Sequence, residues 1–163
     1  MKVLGVDPGL SETGWAVLES DDGAGGGAPR LSPRLAASGL IKTGPSMPLA
    51  DRLNRIHEAL ARVLAEHRPA AVAVEEMFFL VAAHTVRASL QARGVVLLAA
   101  AQARAPVSEY NPRKVKTFLT GSGAAAKAQM QRMVARALGL AEPLRPDDVS
   151  YAAAIALCHL RAS

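Results

Sequence analysis

The apolar and polar positions of this chain repeat with periods that separate short strands from longer helices. Residues 2–7 (KVLGVD) form a brief apolar run that ends at an acid, and Pro8-Gly9 turns the chain after it. Residues 13–19 (TGWAVLE) alternate as a second strand, able to pair antiparallel with the first. A polar, Gly-rich stretch at 20–29 (SDDGAGGGAP) reads as a flexible hairpin loop, and 33–43 resume as a third strand. The loop's glycines lack the strand–helix setting of a nucleotide-binding fingerprint. Between 48 and 66, Leu49, Leu53, Ile56, Leu60, Val63 and Leu64 fall on one helical stripe. Pro48 suits the first turn of that helix and Pro69 stops it. Residues 70–76 (AAVAVEE) are a fully apolar strand ending in two carboxylates. A strand reached through a helix is expected to join the sheet in parallel. An Ala-rich helix follows at 82–104, then a short strand at 106–109 and helices at 112–119 and 125–138, with Gly121-Ser122-Gly123 breaking the chain between them. Pro143 and Pro146 bracket a loop, after which Asp147 is expected to N-cap a last helix at 148–160. Three strands followed by alternating helices and strands predict an α/β fold, a five-stranded mixed sheet flanked by helices.

Composition narrows the class. The chain has 163 residues, half of them apolar and 20% charged, which suits a single folded domain over residues 1–163 rather than a disordered chain. No apolar run approaches the ~18 residues of a membrane helix. The apolar stretch before Asp7 is too short for a secretory signal, so a cytoplasmic location is expected. Cys158 is the single cysteine, which excludes an intramolecular disulfide framework and a Cys-built zinc site. His57, His67, His84 and His159 share no ligand spacing and read as structural or surface residues.

The formal net charge of +5 is a weak pointer to an anionic partner until its distribution is considered. Residues 84–136 hold nine Lys/Arg and one acid, Glu109, while the acids lie mainly before residue 80 and around 142–148. Asp7 ends the first strand and Glu75 the fourth. If those strands are neighbours, both carboxylates emerge at one sheet edge, and Asp147 and Asp148 at the start of the last helix can pack beside it. Converging carboxylates repel unless a cation sits between them, and hard oxygen ligands select Mg²⁺ or Mn²⁺. Two such ions can activate a water and stabilise the leaving oxygen of a phosphodiester. From spacing alone, the same residues also read as a turn Asp, a solvated Glu pair and a helix cap.

Five spaced blocks in order resolve that choice: LGVDPGLSETGWAV at 4–17, AVAVEEMFF at 71–79, LQARGVVLLAA at 90–100, YNPRKVKTFLTGSGAAAKAQMQRMV at 110–134 and RPDDVSYAAAIALCH at 145–159. Over approximately residues 2–160 the chain resembles the RuvC-type Holliday junction resolvases, which have the RNase H-like fold. The resemblance implies a metal-dependent endonuclease that nicks two opposed strands of a four-way DNA junction symmetrically, in recombination and repair. It implies a homodimer working with a branch-migration motor of RuvA and RuvB type proteins, and an active site holding two ions, Mg²⁺ or Mn²⁺. The family's first catalytic Asp matches Asp7, its strand-end Glu matches Glu75 rather than Glu76, and its third carboxylate matches Asp148. Lys116 and Lys127 match lysines near the active site, suited to phosphate oxygens. Phe78 matches an aromatic that the family inserts against junction bases. The small, flat face carrying Leu90, Gly94, Leu97 and Leu98 matches the family's dimer helix.

One position departs from the pattern. The family's fourth carboxylate lies three residues after the third, on the same helix face, and here that residue is Tyr151. A phenol is neutral at pH 7 and a poor Mg²⁺ ligand. Asp147 can replace the missing ligand from a cap position, water can fill the place, or the protein binds junctions and cuts weakly or not at all. Two further classes with a related fold are less favoured: actin-like ATPases, which need two such domains, and ribonucleases acting on RNA–DNA hybrids.

Overall fold

A computed structural model describes residues 1–20, 33–76 and 83–162. Most of the Gly-rich segment at 20–29, together with Phe78, lies outside the described residues. The elements are β1 (Lys2–Asp7), β2 (Glu12–Glu19), β3 (Arg34–Lys42), α1 (Leu49–His67), β4 (Ala71–Glu75), α2 (Ala83–Gln102), β5 (Val107–Tyr110), α3 (Pro112–Thr120), α4 (Lys127–Ala137) and α5 (Asp147–Ala162). They build one five-stranded sheet in the order β3-β2-β1-β4-β5. β1, β2 and β3 pair antiparallel, whereas β4 joins β1 in parallel and β5 joins β4 in parallel. The mixed sheet is the one expected from the helix-linked fourth strand.

Strand periodicity distributes side chains to two cores. On one face Val3, Ala16, Leu18 and Ala73 pack with α3, α4 and α5 through Val115, Met130, Val134 and Ile155. On the other, Leu4, Val6, Val17 and Val72 pack with α1 and α2 through Ile56, Leu60, Ala92 and Val96. The stripe read on α1 is the buried one: Ile56, Leu60, Val63 and Leu64 all face in, while Leu49 is left exposed.

α5 is the helix that determines the site. Its residues 152–160 are buried without interruption, and its backbone lies directly on β1 and β2 because both strands offer glycine there. A Cβ at Gly5 would stand 2.0 Å from the Ala152 carbonyl oxygen, and one at Gly14 would stand 2.2 Å from the Asp148 carbonyl oxygen. Gly14 is the partner of Asp7 in the β1–β2 ladder. The two missing side chains therefore let the first turns of α5 settle beside the end of β1.

Two details differ from the sequence expectation. α4 begins at Lys127, because Ala126 is extended and serves as its cap. Asp147 is the first residue of α5 rather than its N-cap. The Pro146 carbonyl accepts the first amide bonds, from Val149 at 3.2 Å and Ser150 at 3.4 Å, and the Asp147 carboxylate is engaged elsewhere.

Candidate active site

Asp7 and Glu75 are brought together by strand arithmetic. Val6 and Val74 are partners across the parallel β1–β4 ladder, so the next residue on each strand stands at the same carboxyl edge. Val3, Gly5 and Asp7 share the face beneath α5, as do Ala71, Ala73 and Glu75. Ligands of open α/β sheets bind outside the carboxyl ends of their strands. Here the cleft at that edge is about 210 Å³, lined by Asp7, Glu75, Lys116, Lys127, Asp147, Asp148 and Tyr151, with Pro112, Ala125, Met130, Gln131 and Ser150 completing its wall.

Each contributing helix is aimed at the cleft by local signals. Asn111 caps α3 by accepting from the Arg113 amide at 2.9 Å, and Pro112 opens the helix. This start directs Lys116 into the cleft, and Gly121, at φ 78°, ends the helix in the left-handed conformation that glycine favours. The turn behind Asp7 is tied down: the Thr13 hydroxyl donates to the Gly9 carbonyl at 2.6 Å, the Thr43 hydroxyl donates to the Leu10 carbonyl, and Arg52 Nε donates to Thr43 Oγ1 at 2.8 Å.

The electrostatics are those of crowded acids. Burial, then the neighbouring carboxylates of Glu75, Asp148 and Asp147, push Asp7 up to about 8, with Lys127 opposing. Burial also raises Glu75, against the pull of a hydrogen bond from Tyr151 and the charge of Lys116. Asp148 is raised by burial and by Asp147 and Glu12. Asp147 alone is lowered, because Lys127 Nζ donates to its Oδ2 at 2.5 Å. Lys127 is 84% exposed at its side chain, so this pair sits at the mouth of the cleft.

No group of three or more His, Cys, Asp or Glu side chains among the described residues forms a ready-made metal shell. The donor chemistry nevertheless suits a hard divalent cation. Three oxygen-bearing acids line one cleft, each held above its ordinary value by burial, which is the imbalance a cation removes. The Ser150 hydroxyl, buried on the same wall, makes no hydrogen bond among the described residues.

Residues 3–159 match the family model for the crossover junction endodeoxyribonuclease RuvC. The chain belongs to the RuvC family. It is 44% identical over 160 residues to the RuvC of Endomicrobium trichonymphae, covering 98% of this chain and 80% of that protein. It is also 44% identical to the RuvC of Salinispora arenicola, covering 98% and 87%. A solved structure of Thermus thermophilus RuvC in complex with Holliday junction substrate is similar at a TM-score of 0.87 and 40% identity, covering 98% of this chain and 92% of that one. With the family come endodeoxyribonuclease chemistry, metal dependence and the RNase H-like fold.

The RuvC-type residues named from sequence fall as follows. Asp7, Glu75, Asp148, Lys116 and Lys127 line the one cleft. Tyr151 does so too, but not as an idle substitute: its hydroxyl donates to Glu75 Oε1 at 3.2 Å. Asp147 is held by Lys127. Sequence reasoning missed both of these pairings, and it missed Gly5 and Gly14 as the seats of α5. The glycines were visible in LGVDPGLSETGWAV, but only the sheet pairing shows what approaches them.

Proposed function

We propose that this protein is a structure-selective endonuclease that resolves four-way DNA junctions by paired, symmetric, metal-dependent cleavage in recombination and repair. The observation that carries this reading is the convergence of three raised carboxylates and two lysines on one cleft at the sheet's carboxyl edge, in a chain that belongs to the RuvC family. Asp7, Glu75 and Asp148 hold two divalent ions, Mg²⁺ or Mn²⁺, which when bound supply Lewis acidity at the attacked phosphate. Lys116 meets phosphate oxygen from within the cleft, and Lys127 exchanges Asp147 for phosphate at its mouth, offsetting charge as the bond breaks. The exposed Arg113, Lys114, Arg132 and Arg136 extend the positive surface along α3 and α4, so junction affinity falls steeply with salt. Phe78 serves as the apolar wedge against junction bases.

Residues 1–163 act as one nuclease domain in a cytoplasmic homodimer. Among the described residues no helix is long and apolar enough to cross a membrane. Leu90 and Leu98, 37% and 53% exposed, flank Gly94 on one face of α2 and supply an apolar surface for the second copy. A two-fold dimer presents two cleavage sites to a two-fold junction. A motor of RuvA and RuvB type proteins delivers the junction.

Titrating Mg²⁺ and Mn²⁺ against a synthetic four-way junction, a linear duplex and an RNA–DNA hybrid tests the proposal. Nicks at symmetric positions on the junction alone support it. Tight junction binding with no cleavage at any metal concentration would overturn the nuclease reading and leave a binding protein. Preferential cutting of the hybrid would replace the substrate.

A further inference from the structure

The Tyr151 phenol lies on the first turns of α5, packed against the core face that α5 covers. Its hydroxyl reaches across the cleft to the end of β4 and donates to Glu75 Oε1 at 3.2 Å. The Glu75 carboxylate makes no other hydrogen bond among the described residues. The hydrogen bond on it thus comes from one neutral donor on the helix that also carries Asp148, beside the charge of Lys116. A carboxylate at residue 151 would instead add charge to a cleft that already gathers Asp7, Glu75, Asp147 and Asp148. A phenol adds a donor and no charge near neutral pH.

From this geometry we infer that Tyr151 is a positioning residue of the cleavage site: it clamps Glu75 by a hydrogen bond and so sets the carboxylate for cation binding. The inference rests on the metal-dependent nuclease reading above and goes beyond it, because it gives a role to the one residue that departs from the family's acidic pattern. Outer partners that orient a metal's ligands typically change metal affinity or activity by about 10- to 100-fold when removed. The ring's packing is separable from its hydroxyl, since Phe keeps the first and loses the second.

Two measurements on variants of Tyr151 and Glu75, alone and combined, test this. The first is Mn²⁺ affinity of the DNA-free protein by calorimetry. Tyr151→Phe is expected to weaken binding by about 10- to 100-fold with Glu75 present and to have no further effect when Glu75→Gln is already in place. The second needs no metal. Glu75→Ala, which leaves the phenol without this acceptor, should shift the near-ultraviolet tyrosine absorption of the protein that retains Tyr151 and leave the spectrum of the Phe variant unaltered. Unchanged Mn²⁺ affinity in Tyr151→Phe, or equal weakening with and without the Glu75 carboxylate, would overturn the clamp. A wild-type protein that binds no Mn²⁺ and cuts no junction would overturn the metal-dependent reading beneath it; an absent spectral shift would remove the hydrogen bond itself.

Discussion

Asp7→Asn should make the metal-free protein more stable at alkaline pH, although Asp7 is the acid on which the proposed cleavage site is built. The Asp7 carboxyl is pushed from its ordinary 3.8 up to about 8 by burial and by Glu75, Asp148 and Asp147. The unfolded chain loses this proton near the ordinary value, whereas the folded metal-free chain keeps it to about 8. Between those values the folded state binds more protons, so stability falls as pH rises. The contribution is fully present below the unfolded value and is lost as pH passes through the folded one. A tenfold change in proton affinity corresponds to about 1.4 kcal/mol, which bounds the penalty on ionised Asp7 at roughly 6 kcal/mol. Water in the cleft and rotation of the side chain reduce this to about 1–3 kcal/mol, consistent with an effective dielectric well above that of dry protein. Asn is nearly isosteric and carries no charge. The variant should therefore melt higher than wild type by roughly 3–10 °C near pH 8 in EDTA, and at almost the same temperature below about pH 4, where the unfolded chain also keeps the proton. Calorimetry at the two pH values is the assay. An equal gain at both, or a loss near pH 8, would refute the reasoning. Mg²⁺ added near pH 8 should raise the melting temperature of wild type and leave the variant where it was.

Gly14→Ala places a Cβ 2.2 Å from the Asp148 carbonyl oxygen, so it should cost about 1–3 kcal/mol in denaturant titrations and reduce junction cleavage by lifting Asp148 away from Asp7. Lys127→Ala breaks the exposed pair with Asp147 and should change stability by less than about 1 kcal/mol. The same change should lower the slope of log affinity against log salt by about one for a four-way junction. Burial pushes the Cys158 thiol up to about 12, so alkylation by iodoacetamide should be negligible near neutral pH in the native protein and rapid once it is unfolded.

The elements were legible because their periods are strong. The Ile56–Leu60–Val63–Leu64 stripe and the apolar AVAV run of β4 each specify one kind of burial. Asp7 and Glu75 were legible as strand-end acids, and the parallel β1–β4 pairing turns that expectation into adjacency. What remained hidden depends on contacts between distant segments. The hydrogen bond between Tyr151 and Glu75 links residues 76 positions apart, and no local pattern encodes it. Asp147 carries the composition of a helix cap, yet Lys127 on α4 offers it an ion pair, and the Pro146 carbonyl takes the helix start. Gly5 and Gly14 read as ordinary strand glycines until α5 is laid over them.

The central claim is paired metal-dependent incision of a four-way junction. A supercoiled plasmid that extrudes a cruciform tests it most directly, because one nick gives an open circle and two opposed nicks give a linear molecule. The account predicts linear product from the wild-type protein with Mg²⁺ or Mn²⁺, none from Asp7→Asn, and none from the same plasmid without the cruciform. Open circles alone, or linearisation independent of the cruciform or of Asp7, would contradict it.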